Sequence, residues 1–295
     1  MWKFLTILGL SVITMGGLMA QVKKQFSVER AEECKEVNLY LTTKFGNCFI
    51  RPTQNNEILS VYSNQDAEEF SHSFKNEVVK NNCNIQLDLM QKNKSGVGRT
   101  ISDRMLGAED RHAEFWKVYL AENIPYNLTL SYGLGHANID LSGLSINKFR
   151  INTGSADVKI SYSNSSNKIE MDTFLVKVEF GTVTVNNLSK SKSKSVIADV
   201  GFGNMMLDFS GSQLTSRNVK GSVGAGNLVI VLPDERVPVI VKVKNSWLCS
   251  VQPVKGMQKI SDNTFVNHAY TLNTKNALSF DLDVSMGNIV FKEQN

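Results

Sequence analysis

Proline, cysteine, histidine and tryptophan are all scarce: Pro 5, Cys 4, His 4 and Trp 3 in 295 residues. Each shortage removes a class of protein. So few prolines, with no low-complexity tract, leave no proline-rich linker and no evident domain boundary. The cysteines contain no Cys-x-x-Cys pair, so ribbon-type zinc sites and thioredoxin-like redox motifs are excluded. His72, His112, His136 and His268 have no second ligand at a metal-helix spacing, and no metal site is expected. The formal charge of +4 falls by one if Lys3 is removed, too mild a balance for nucleic-acid binding. Beyond residue 20 no apolar run approaches the length that spans a bilayer.

What the first twenty residues do have is one lysine, an apolar run from Phe4 to Ile13, and the small residues Gly16, Gly17 and Ala20. That layout predicts a secretory signal peptide cleaved after Ala20, with an uncleaved anchor as the alternative. No cysteine stands at the cleavage point, so a lipid anchor is not expected. Residues 21–295 are then one exported domain, irregular to about residue 110 and regularly repeated from about residue 124.

The repeat is a short phrase, Gly-x-Gly/Ala-Asn/Asp followed by apolar-x-apolar. It occurs around Gly135 and Asn138, Gly154 and Asp157, Gly203 and Asn204, Gly226 and Asn227, and more loosely Gly287 and Asn288. Gly46-Asn47-Cys48-Phe49-Ile50 is a partial early copy, and Phe180-Gly181-Thr182-Val183 a degenerate one. Each reads as a tight turn that accepts positive φ, with an Asn or Asp bonding its own backbone, feeding a strand with alternate apolar residues. The step is roughly 20–25 residues, which predicts an all-β solenoid with two short strands per repeat. The interval from Asn227 to Asn288 reads as about three steps with the phrases eroded.

Three segments resist this pattern. Ala67, Phe70, Phe74 and Val78 share one helical face, so residues 66–81 fit either a helix or a strand. Residues 94–110 lack a period and read as a long loop. Cys48, Cys83 and Cys249 alternate with apolar neighbours and read as small core residues, while Cys34 is ambiguous; one disulfide is allowed, two are not expected.

From Ile124 to Leu144, through Tyr132-Gly133-Leu134-Gly135-His136-Ala137-Asn138-Ile139-Asp140, the chain resembles the toastrack-type β-solenoid domains. That group includes adhesin-like bacterial proteins and the C-terminal domain of cell-wall-stress response regulators. Asn152 to Ile160 extends the resemblance, which covers residues 37–295. It implies an envelope-associated, non-catalytic protein, and by analogy a strand over 66–81. His136 stands where the family often carries a carboxylate, and the multi-helix membrane portion of the stress-response members is missing.

Candidate chemistry is sparse. Asp140, Asp157, Asp199 and Asp208 lie in or beside the repeats, where stacked carboxylates could perform acid–base work on a polysaccharide. The turn role explains them more simply, and no catalytic residue, metal or cofactor is assigned. Gly201-x-Gly203 and Gly224-x-Gly226 lead into strands and are not dinucleotide fingerprints. Candidate contact residues are Lys190, Lys192 and Lys194, which would share a face if extended, the outward pair Phe115 and Tyr119 flanking a core Trp116, and His136. A periplasmic, cell-surface or secreted interaction module follows, peripheral to a membrane at most, with an envelope protein or polymer as partner. The alternatives are a β-helix enzyme acting on polysaccharide and an accessory of an envelope stress response.

Overall fold

Apolar side chains at every second position give each strand one face that must leave water, and stacking strand on strand in parallel register does so repeat after repeat. The computed structural model describes residues 22–64, 70–91, 115–210, 218–245, 250–252 and 256–293. The expected signal peptide, the whole of the expected 94–110 loop, His112, Trp247 and Cys249 lie outside the described residues. The strands before the regular stack are β1 (Lys23–Glu29), β2 (Glu36–Thr53), β3 (Glu57–Ser63), β4 (Phe70–Val79), β5 (Asn82–Gln91) and β6 (Phe115–Ala121). Then come β7 (Pro125–Asp140), β8 (Ser145–Thr153), β9 (Asp157–Ser161), β10 (Met171–Val178), β11 (Thr182–Asn186), β12 (Ser193–Val200) and β13 (Asn204–Asp208). β14 (Asn218–Val223), β15 (Asn227–Val231), β16 (Val239–Asn245), β17 (Ser250–Gln252), β18 (Gln258–Ser261), β19 (Thr264–Val266), β20 (Leu278–Val284) and β21 (Asn288–Lys292) complete the set.

Two parallel ladders enclose the core. Sheet A runs β5, β2, β7, β8, β10, β12, β14, β20, β16. Sheet B runs β6, β2, β7, β9, β11, β13, β15, β21, β17. β2 and β7 pass through both sheets, turning the corner at Gly46 (φ 100°) and Gly135 (φ 123°), a left-handed backbone suited to glycine. Inward residues stack on their equivalents: the rings of Phe149 and Phe174 lie 4.8 Å apart, and Val158, Val183, Met205, Leu228 and Ile289 form one buried column. Each such side chain contributes about 1.5–3 kcal/mol on burial. The expected β-solenoid is therefore the observed architecture.

The corner glycines require a correction. Gly181, Gly203, Gly226 and Gly287 do not adopt positive φ. They are glycine because a Cβ on each would strike the carbonyl oxygen of the corner residue one coil back, Ala156, Gly181, Gly203 and Gly226 respectively. Nor do the anchoring asparagines bond their own turns. Asn227 donates its side-chain amide to Asn204 Oδ1 at 2.8 Å, and Asn288 to Asn227 Oδ1 at 2.9 Å. In the first copy the residue level with Asp157 is His136, not Asn138, because β7 runs through the corner without a separate turn.

Both ends of the stack depart from chain order. Asn288 sits one rung from Asn227, so the interval between them is a single step. Residues 233–277 leave the stack to build the outermost coil, β16 and β17, with β19 antiparallel on β16, β18 on β19, and a short helix α1 (His268–Leu272). The chain then returns to fill the slot between β14–β15 and β16–β17. At the other end β2 is a complete coil flanked by β5–β6 on one side and β7 on the other, so regular stacking begins near residue 36 and not near 124.

Residues 70–79 are strand: β4 lies antiparallel on β5 as the edge of sheet A. β3 lies antiparallel on β6 and β1 on β3, and Phe26 of β1 packs on Phe74 of β4 at 5.5 Å to close the end of the core. Cys83 is not a free core thiol. It is joined to Cys34, which the Lys35 N–H to Asn81 carbonyl bond of 2.8 Å holds beside the start of β5. Cys48 is a buried free cysteine, and burial pushes its thiol up to about 12.

Candidate functional site

Because side chains alternate across a strand, what sheet B turns away from the core is fixed by register. One outward row runs Tyr62, Lys117, Phe49, Asn138, Lys159, Thr184, Met206, Val229, Val290, each directly beside the next. Its first half is aromatic, basic and polar, and its last third is apolar. In the first half an open groove of about 700 Å³ is lined by Phe49, His136, Asn138, Asp157, Lys159 and Thr184, among others.

Phe115 and Tyr119 stand on this outward face, and Trp116 is core, at 2% exposure. The Phe115 ring meets Phe49 edge-on at 6.4 Å and carries Lys117 Nζ at 4.8 Å from its centroid. Tyr119 meets Tyr62 edge-on at 5.6 Å. His136 lies in the groove, its Nδ1 3.7 Å from Asp157 Oδ2, both side chains well exposed. Among the described residues no carboxylate lies within ion-pair distance of Arg51, Lys117 or Lys159. The face therefore carries unneutralised cations between aromatic rings.

The serine–lysine run is built differently from an extended ladder. Leu188–Ser191 form a 3₁₀ turn between Asn187 and Lys192, both left-handed, and Ser189, Ser191 and Ser193 are buried. Lys190 Nζ donates to the carbonyls of Tyr162 and Ser163 at 3.2 and 3.3 Å. Lys194 bridges Glu170 and Asp172, and the hydrogen bond it donates to Glu170 holds its pKa above the ordinary lysine value. Lys190, Lys192 and Lys194 do not share a face, because the turn breaks the alternation.

The carboxylates also separate. Asp140 accepts from Ser142 N at 3.0 Å, and Asp208 from Ser210 N at 2.8 Å. Asp199 accepts from Ser222 Oγ at 2.8 Å. Among the described residues Asp157 alone of the carboxylates lines the groove, whereas glycoside hydrolysis in its usual form needs two facing carboxyl groups. Among the described residues no three His, Cys, Asp or Glu side chains converge as metal ligands would.

Sequence reading put Lys117 on the outward side with Phe115 and Tyr119 but missed Phe49, Arg51 and Lys159 as members of the same face. The signal was present in the alternation of Phe49 and Arg51 with Cys48 and Ile50, but which strands lie side by side is a property of the coil order.

Two parallel ladders bent at stacked corners define a toast-rack β-solenoid. The family described as the N-terminal domain of toast_rack, DUF2154, matches residues 19–175, and the chain belongs to that family. The match ends inside β10, while both sheets continue past it without a break. A search of curated proteins finds no match. A solved protein of Clostridium sporogenes, provisionally described as a cell adhesion protein, aligns over 93% of this chain and 100% of its own. Its identity is 17% and its TM-score 0.45, a likeness too low to carry an inference.

Proposed function

We propose that this protein is an exported, non-catalytic contact module of the cell envelope. It engages an anionic envelope polymer through the outward face of sheet B. The observation that carries the reading is the cluster of Arg51, Lys117 and Lys159, free of carboxylate partners, among Phe49, Phe115, Tyr62 and Tyr119. Cations of this kind attract a polyanion over a distance, and half-buried rings add contact area at small entropic cost. A single groove carboxylate supports binding over two-carboxylate hydrolysis. The Cys34–Cys83 disulfide supports export, since such bonds persist in oxidising compartments.

Purified protein is incubated with detergent-extracted, lipid-free envelope polymer from the producing bacterium at rising salt. Binding should weaken steeply with salt, and Lys117→Gln with Lys159→Gln should weaken it at least tenfold at low salt. Salt-independent retention, equal retention of the variant, or release of soluble sugar fragments would each overturn the reading. Protease shaving of intact cells, with the mature N-terminus read by mass spectrometry, places the protein on the surface or behind it.

A further inference from the structure

The corner between sheets A and B carries one residue per coil at its apex. Pairing of Phe45 with Leu134 puts the first two level. The next apices follow from one repeated bond, in which the apex N–H meets the coil before: Phe180 N to Gly154 O at 3.0 Å, Phe202 N to Glu179 O at 2.7 Å, Met286 N to Gly224 O at 2.7 Å. Ser155 and Ala225 fill the two remaining rungs. Phe45, Phe180, Phe202 and Met286 are 43%, 65%, 64% and 57% exposed, an apolar row on the most prominent edge of the solenoid. Seven rungs at about 4.8 Å make the row roughly 30 Å long.

We infer that this ridge docks on the interfacial layer of a lipid bilayer with uncharged or zwitterionic headgroups. Three observations select that occupant. First, a row one side chain wide presents on the order of 300 Å², well short of the about 800 Å² per partner that a stable protein interface takes. A bilayer demands only that apolar tips enter the headgroup boundary, where aromatic side chains are favoured. Second, Phe180 and Phe202 stack on each other at 5.4 Å and 7°, so one face of each is covered and their edges project. The other two faces are directed along the row, over Ser155 and Ala225 on the neighbouring rungs, so a sugar ring laid on the ridge meets ring edges and not a face. Third, the charge beside the stacked pair is internally matched: Lys177 bridges Glu179 at 3.0 Å and Asp199 at 3.8 Å, and Lys44 stands beside Phe45 at the far end of the row. No basic collar surrounds the rings to select anionic lipid, in contrast to the face of sheet B. The same backbone bond holds Ser155, Phe180, Phe202, Ala225 and Met286, and ladder pairing holds Phe45 beside Leu134, so the long apolar side chains stand in one line along the edge.

The test is flotation of the chain from Gln21 onward, which contains every described strand, with phosphatidylcholine vesicles. The wild type should float, with little dependence on salt or on added anionic lipid. Phe180→Ser with Phe202→Ser should lower partitioning at least tenfold, while its thermal midpoint and its binding to lipid-free envelope polymer stay at wild-type values. Lys117→Gln with Lys159→Gln should float as the wild type does, which separates this site from the polymer-binding face. A wild type that stays in the heavy fraction overturns the proposal, as does equal flotation of the double Phe variant. Sedimentation showing a wild-type dimer that the same variant dissociates also overturns it, in favour of a second copy on the ridge.

Discussion

Asn288 donates its side-chain amide to Asn227 Oδ1 at 2.9 Å although 61 residues separate them, and the rungs around them pair from Asn227–Asn288 to Val231–Lys292. The final coil thus occupies a slot between two coils made earlier in the chain. β16 has β20 as its parallel neighbour and β17 has β21, so the outermost coil is seated on residues that follow it in sequence.

A chain ending at residue 277 should therefore lose more than the strands it lacks. With β20 and β21 gone, β16 and β17 have no parallel partner, β14 and β15 keep one of their two, and β7 to β13 keep theirs. Hydrogen exchange should show 239–252 unprotected and 125–223 protected. Protection of β16 in the truncated chain would mean that it can dock on β14 directly.

At the corner, Gly203→Val should destabilise by about 1–3 kcal/mol, the usual cost of overpacking. Its Cβ would strike the Gly181 carbonyl oxygen and approach Val178 Cγ2 to 2.9 Å. Ala225→Ser, at an exposed apex two residues from the next corner glycine's asparagine, should stay within about 0.5 kcal/mol. Urea denaturation of both variants checks the contrast.

These two features mark how far the sequence was legible. Alternation and the recurring Gly–Asn phrase identified the solenoid, the buried Trp116 and the outward Phe115 and Tyr119, because burial acts on local period. The coil order at both ends was not legible. The rungs formed by Asn47 with His136 and by Asn227 with Asn288 join segments of very different separation, and nothing in either phrase encodes which copy it will meet. The same ignorance hid the ridge: Phe180 and Phe202 stood in plain view as the variable residue of the phrase, and only stacking makes them one surface.

The Cys34–Cys83 bond closes a span of 49 residues that contains the whole of β2, β3 and β4. Cys34→Ser with Cys83→Ser should lower unfolding free energy by about 2–4 kcal/mol, with loosening concentrated in β1 to β5. Peptide mapping without reductant should find the two linked. Cys48, buried with its thiol pushed up to about 12, should resist alkylation until the chain unfolds. Labelling of Cys34 in the untreated native protein would refute the bridge.

Tyr162 follows β9, wholly buried, and its hydroxyl has no hydrogen-bond partner. Tyr126 shows the alternative in the same core: its hydroxyl donates to the Ile58 carbonyl at 2.7 Å and accepts from Ala121 N at 3.0 Å. Both phenols are driven above their ordinary pKa by burial, so neither ionises in the physiological range. The two substitutions by phenylalanine should therefore have opposite signs. Tyr126→Phe strands a buried carbonyl and a buried N–H and should destabilise by about 1–3 kcal/mol, whereas Tyr162→Phe removes an unmatched polar atom and should leave stability unchanged or raise it by about 1 kcal/mol. Thermal melts of the pair decide this, because a destabilised Tyr162→Phe would require a partner for that hydroxyl.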